Sequence, residues 1–163
     1  MLTIRPVSTM QDRKQVLALY EGAADYFKLT DQNYPSRATV EEDRTARPAA
    51  LPADAKHFGL ILADGDPIGV LDYLIGYPDA TSLFIGLLLL PVANRRQGYG
   101  RQVVTQLLAA HPDVQRVRVG VADANEAGMA FWLALGFTFV SAGQASLGNG
   151  HVLDVTILDW HRE

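Results

Sequence analysis

The sequence predicts an α/β domain built on one mixed sheet, and three observations carry that prediction. Apolar runs of strand length recur along the chain, and Asp64-Gly65-Asp66 and Leu147-Gly148-Asn149-Gly150 join neighbouring runs with hairpin chemistry, which makes antiparallel pairs. Between those hairpins, the run 83–90 is followed by a glycine turn, an amphipathic helical stretch and a second apolar run over 114–121. A crossover of that kind makes the two strands parallel, with their carboxyl ends on the same side. Finally, 163 residues suit one domain over 1–163, large enough to bury a sizeable core.

Residues 2–7 read as a short strand, and Ser8 with Gln11 three positions later resembles a capping box that opens a helix. Val16, Tyr20, Ala23 and Phe27 form its apolar stripe; over 28–36 the pattern fails and polar sequence takes over. Thr39 with Glu42 marks a second, short helix that stops before Pro48, and this part of the chain reads as a cover. Residues 56–63 and 67–77 are the first strand pair, and Pro78-Asp79 turns the chain into the next strand. The run 83–90 is apolar on both faces, as in a strand covered on both sides, and Gly86 inside it points to a bulge or a close backbone approach. Gly100, Val103, Val104, Leu107 and Leu108 share one face of the helix after Gly98, which His111-Pro112 ends. Ala127, Ala130, Phe131, Ala134 and Leu135 predict the buried stripe of the last helix, with Gly136 as its left-handed cap. Residues 137–146 and 151–158 then close the sheet, the second of them expected at an exposed edge.

Composition removes several classes of function. The formal net charge is −4, with no run of five like charges, so the chain has neither a basic footprint for nucleic acid nor a polybasic patch for membranes. Without cysteine there is no disulfide, no thiolate ligand and no cysteine nucleophile. His57, His111, His151 and His161 lack metal-ligand spacing, so no metal is expected, and no GxSxG elbow occurs. The start, Met1-Leu2-Thr3-Ile4-Arg5-Pro6, lacks the basic-then-apolar plan of a signal peptide and no apolar run approaches membrane length, which makes a cytoplasmic location the expectation.

The most telling motif is Arg95-Arg96-Gln97-Gly98-Tyr99-Gly100, set between an apolar strand and a helix. Two glycines let the backbone turn without a Cβ clash, so successive N–H groups can face one oxyanion at the positive end of the new helix. Arg95, Arg96 and Arg101 add charge-assisted donors. Neither GxxxxGK followed by Ser or Thr nor GxGxxG is present, which turns the reading from a nucleoside triphosphate to a diphosphate carrier such as coenzyme A.

This RxxGxG pattern, followed by Asp123, Asn125 and the run Ala130-Phe131-Trp132-Leu133-Ala134-Leu135-Gly136-Phe137, resembles the GNAT-type N-acetyltransferase superfamily. The resemblance implies a mostly antiparallel sheet whose central parallel pair splays around the cofactor, with helices on both faces. It implies acetyl-CoA as cofactor and direct attack on it, in a ternary complex, by the amine of a small molecule or a protein amino group. Pairing through the C-terminal strands, hence a possible homodimer, is also implied. One spacing departs from the pattern: Pro91 stands four residues before Arg95, one more than is usual.

Carried onto this chain, the diphosphate falls to the backbone of Gln97, Gly98, Tyr99 and Gly100 with Arg95, Arg96 and Arg101, and the pantothenate arm to the backbone of Leu88, Leu89 and Leu90. Asn125 matches the asparagine that touches the cofactor arm and is equally a helix cap; Phe131 and Trp132 would wall the cofactor or the core. A thioester oxygen that gains charge needs a donor, which the Leu88 N–H can supply beyond Gly86. The amine must lose a proton before it attacks, yet the strand 83–90 holds no acid, leaving Asp72, Asp123 or ordered water. Trp132 occupies the position where the family often has the tyrosine that protonates the leaving thiolate, and an indole N–H cannot surrender its proton. Tyr99, Tyr73 or water are the substitutes. Tyr26, Tyr34, Tyr73 and Tyr77, with Asp72, are the candidates for an acceptor pocket, whereas Phe27 is expected in the core. Two other readings stay open: a non-catalytic acyl-CoA sensor, suggested by Trp132 and the acid-free strand, and a glycine loop that is only a packing turn.

Overall fold

The computed structural model describes residues 1–146 and 150–163, whose strands form a single sheet. In chain order they are β1 (Leu2–Pro6), β2 (Lys56–Ala63), β3 (Asp66–Ile75), β4 (Ser82–Leu89), β5 (Arg116–Ala122), β6 (Thr138–Ser146) and β7 (Val152–His161). They lie side by side as β1-β2-β3-β4-β5-β7-β6. Every neighbouring pair is antiparallel except β4 and β5, which are parallel and connected through α4 (Tyr99–Ala110). The first hairpin turns on Asp64 and Gly65, both at positive φ (50° and 87°), the conformation that a two-residue turn requires to follow the strand twist.

Each face of the sheet has its own core. On one face α1 (Met10–Glu21), α2 (Ala24–Leu29) and α3 (Arg37–Thr45) pack Val16, Tyr20, Phe27 and Val40 against Phe58, Leu60 and Val70. On the other, α4 and α5 (Glu126–Ala134) pack Val103, Val104, Leu107 and Trp132 against Leu71, Leu83, Ile85 and Val117. Helices therefore cover both faces, and β4 is apolar all round because it contributes to both cores.

Several boundaries differ from the sequence reading, each for a local reason. Thr9, one residue after Ser8, caps α1: its hydroxyl accepts from the Asp12 N–H (3.0 Å), and Asp12 rather than Gln11 returns the bond to the Thr9 N–H (3.1 Å). A carboxylate fits that role better, since it also accepts from the Ser8 N–H and Arg5. The single helix expected through Phe27 breaks at Gly22-Ala23, where the Gly22 carbonyl is bonded by the Val92 N–H. All four stripe residues are nonetheless buried. For α3 the cap is Ser36 with Thr39, not Thr39 with Glu42.

In α5 the alanines of the predicted stripe, Ala127, Ala130 and Ala134, are exposed, while Phe131 and Leu135 are half-buried against the core and Trp132 is the residue fully buried. Small alanines carry little apolar area, so the larger indole decides which face turns inward. The sheet edge beside the last hairpin is β6, since β7 lies between β5 and β6 and has partners on both sides. Of the second turn, residues 147–149 lie outside the described residues, while Gly150 has the positive φ (77°) expected of a turn glycine.

Candidate active site

The parallel pair is the place where the sheet opens. Pairing of β4 with β5 runs from Ser82↔Arg116 to Ile85↔Val119 and stops there. Beyond it, β4 continues on β3 as far as Leu89, and β5 continues on β7 to Ala122. The backbone of Leu88 and Leu89 therefore faces a gap on the β5 side with no strand partner. A bulge sits at the point of parting: Asp72 opposes Leu87 and Tyr73 opposes Ile85, so Gly86 is the extra residue. A Cβ built on Gly86 would meet Asp72 Oδ2 at 3.0 Å, so the glycine permits the carboxylate to lie against the bulge.

At the far end of the gap lies the glycine loop. Gly98 has φ 81° and precedes α4, whose first turn has no side-chain cap, so its N–H groups at Tyr99, Gly100 and Arg101 lack intrahelical partners. Gly100 is there for packing: a Cβ would stand 2.9 Å from the Phe131 ring, so only glycine lets the first turn of α4 lie against α5. Arg95 is committed elsewhere, its Nε donating to the Leu90 carbonyl (2.8 Å) and its guanidinium forking onto Asp25 (2.6 and 3.0 Å). It fixes the loop to the end of β4 and to α2. Arg96 and Arg101 are exposed and make no ion pair among the described residues, and Arg96 takes the unusual positive φ of 62°. Gln97 is exposed, and its amide donates to the Ala93 carbonyl (3.1 Å).

Between loop and bulge runs a groove of about 430 Å³ lined by Leu88, Leu89, Leu90, Gly100, Asn125, Phe131, Trp132 and Tyr26, among others. Asn125 caps α5 by accepting from the Gly128 N–H (2.9 Å), and a Cβ at Gly128 would overlap its amide. Trp132 is buried and stacks edge-on with Phe131 and Phe137, a wall shared between groove and core.

Behind the bulge is a buried charged network, most of which the sequence reading missed. Lys56 Nζ lies 2.6 Å from Asp72 Oδ1, with both side chains nearly out of solvent. Burial pushes the Asp72 carboxyl up to about 6 even though Lys56 pulls it down. Asp43 is nearby, raised by its own burial, and accepts from the Tyr20 hydroxyl at 2.7 Å. Burial and then Asp43 push Tyr26 to about 12. A lysine opening an otherwise apolar strand was the one available signal for Lys56; nothing in the local sequence of Tyr20 or Asp43 marked them.

The remaining candidates lie apart from this centre. Asp123 is exposed and accepts from the Thr156 hydroxyl (2.9 Å), tying β5 to β7. Tyr34 is 66% exposed. Tyr77 packs on Phe84, near the closed end of the β4–β5 pair, and Tyr73 stacks on His57 on the face opposite Asp72. Of the four tyrosines, the groove gathers Tyr26 alone among the described residues.

The Acetyltransferase (GNAT) family model matches residues 16–137, and the chain belongs to that family. A search of curated protein sequences gave no match. Among solved structures, an acetyltransferase from Thermus thermophilus is similar at 25% identity, covering 99% of this chain and 97% of its own with a TM-score of 0.82. An aminoglycoside acetyltransferase in complex with coenzyme A shares the fold at 16% identity, with coverage of 99% and 95% and a TM-score of 0.71. An N-acetyltransferase from Staphylococcus aureus does so at 13%, with coverage of 99% and 98% and a TM-score of 0.66. Acetyl transfer from acetyl-CoA is the activity of the family, and no helix among the described residues is long and apolar enough to cross a membrane.

The residues present fit that cofactor. Uncapped N–H groups at the start of α4 with Arg96 and Arg101 beside them suit a diphosphate, and a strand edge without a partner suits an extended amide-bearing arm.

Proposed function

We propose that this chain transfers the acetyl group of acetyl-CoA to the amine of a small molecule, by direct attack in a ternary complex, with Asp72 as general base. The observation that carries the reading is the Asp72 carboxylate set against the β4 bulge, where the paired strands part. Bound acetyl-CoA supplies an activated acyl thioester. Backbone N–H groups of Gly98, Tyr99 and Gly100, with Arg96 and Arg101, hold its diphosphate; Arg95 holds the loop. The strand edge at Leu88, Leu89 and Leu90 aligns the arm, though the Leu90 carbonyl is already engaged by Arg95. The Leu88 N–H donates to the thioester oxygen as it gains charge.

Asp72 takes the proton of the incoming amine. A carboxyl held at about 6 is ionised at neutral pH and basic enough to work, the compromise general-base catalysis requires. Asp123, exposed and bonded to Thr156, lies apart from the bulge. Tyr26, which lines the groove, is its contact for the acceptor in this reading. Trp132 donates no proton, so the thiolate leaves without acid assistance, tolerable for a thiol whose pKa is about 8.5. A homodimer, where formed, falls to β6, whose outer edge is unpaired and carries Phe139 at 67% exposure.

The test is a thermal-shift titration with acetyl-CoA, against 3′-dephospho-CoA and ATP, followed by thiol release across a panel of small amines and peptide amino termini. Saturating cofactor should add about 2.7 kcal/mol, a rise in Tm of roughly 5 to 10 °C. Thiol release with an amine, lost in Asp72→Asn while the thermal shift persists, is the expected result. A thermal shift with no amine-dependent thiol release would instead support the acyl-CoA sensor, which the absent phenolic acid at Trp132 favours.

A further inference from the structure

A second groove, of about 780 Å³, shares no lining residue with the one between β4 and β5. It runs around the end of β1, between the start of β2, the last turns of α4 and the chain that leaves α3. Its charge is one-sided: Arg44, Arg47, Lys56, His57 and His111 line it, and among the described residues no carboxylate does. Arg44 is engaged by Glu41 (2.8 Å) and Lys56 by Asp72 (2.6 Å), while Asp54 is close enough to act on His57. Arg47, by contrast, is exposed and makes no ion pair or side-chain hydrogen bond among the described residues.

The rest of the lining is apolar or aromatic. Val7, Phe58 and Leu107 contribute to it, and the His57 and Tyr73 rings stack 4.7 Å apart and within 9° of parallel, with His111 edge-on to Tyr73 at 5.8 Å. The backbone adds polar groups: β1 pairing ends at Pro6↔Gly59, so β2 outruns its neighbour at Lys56 and His57. Such a wall combines a cation without a partner, a flat aromatic surface and room for a ligand of ordinary size, about 300 to 1,000 Å³. Its complement is an anion on an apolar body, since the head satisfies the guanidinium and the body covers the rings.

We propose that this groove is a second ligand site, taking a small carboxylate carried on an apolar, ring-sized body, its head on Arg47 and its body against the His57–Tyr73 stack. The site stands independently of acetyl transfer.

Benzoate is the probe, titrated into the full chain while the imidazole NMR signals of His57 and His111 are followed, each assigned with its His→Gln variant. Acetate keeps the head without the body, and benzamide the body without the charge. The expected result is a saturable shift of both signals by benzoate, with affinity lower by about tenfold or more for acetate, for benzamide, and for benzoate on Arg47→Glu and Arg47→Gln. The acetyl-CoA thermal shift of the Arg47 variants should match that of the parent chain. No saturable shift at millimolar benzoate, equal binding of benzamide, or undiminished binding by both Arg47 variants would overturn the site. None of these outcomes bears on whether the chain acetylates an amine.

Discussion

Asp72 is buried with a cation 2.6 Å away, and its behaviour depends on which influence prevails. Desolvation prevails, since the carboxyl sits at about 6 against an ordinary 3.8. The folded state therefore keeps a proton that the unfolded chain loses, and this group's contribution to stability falls as pH rises from about 4 to 6 and is flat above. In kinetics the same group should give kcat/KM an acidic limb near pH 6, missing in Asp72→Asn, whose turnover falls by about a hundredfold or more. Lys56→Met should move the limb to higher pH by about one unit or more, because an opposite charge at this distance lowers a carboxyl by that much; Lys56→Arg should leave it nearly in place. Asp12 is the opposite case. Backbone N–H groups of Ser8 and Thr9 hold it at about 2, so its stabilisation is present above the ordinary carboxylate range and vanishes as pH falls through 2. Asp12→Ala should therefore lose about 2 kcal/mol at pH 7, and the gap from the parent should close in urea titrations repeated toward pH 2.

At the scale of elements, the contact between α4 and α5 decides how well the cofactor loop is held. Gly100→Ala forces the Phe131 ring to give way from 2.9 Å, a strain of about 1 to 3 kcal/mol, and moves the helix terminus proposed to hold the diphosphate. Acetyl-CoA affinity measured by calorimetry should fall along with Tm. Gly98→Ala differs, because a Cβ there meets only Gln102 at 3.9 Å; its penalty is the positive φ, about 1 to 2 kcal/mol. Arg95 and Arg96 should separate similarly. Arg96→Ala should weaken binding and flatten its salt dependence, whereas Arg95→Ala releases the loop from Leu90 and Asp25 and should weaken binding with the salt slope retained. Adjacent in sequence, the two differ in role because one guanidinium has found protein partners.

For the whole molecule, the order of strands matters more than their number. Placing β7 inside the sheet leaves β6 as the exposed edge with Phe139 and Val140 on it. Sedimentation at increasing concentration should show association that Phe139→Lys abolishes, since a charge on an edge strand opposes pairing. The two cores on opposite faces also divide the work: the α4–α5 side walls the groove beside β4, while the α1–α3 side encloses the Tyr20–Asp43 and Lys56–Asp72 pairs.

Local chemistry was legible in the sequence wherever one or two residues determine the outcome. Asp64-Gly65 pointed to a hairpin, Gly86 to a bulge or a close backbone approach, Gly98 and Gly100 to a turn into a helix, and the strand–helix–strand order to a parallel pair, because turn geometry and crossover handedness follow from residues close in the chain. Helix caps slipped by one to three residues, since Ser8 and Thr9, or Ser36 and Thr39, offer the same hydroxyl and only packing selects one. Tertiary structure alone decided the rest. It joined Lys56 to Asp72 and Tyr20 to Asp43 across strands and helices, spent Arg95 on Asp25 seventy residues away, and put Tyr73 on the face of the sheet opposite Asp72. Those are long-range pairings between common residue types, and their energies depend on burial, which only the assembled sheet and its two covers define.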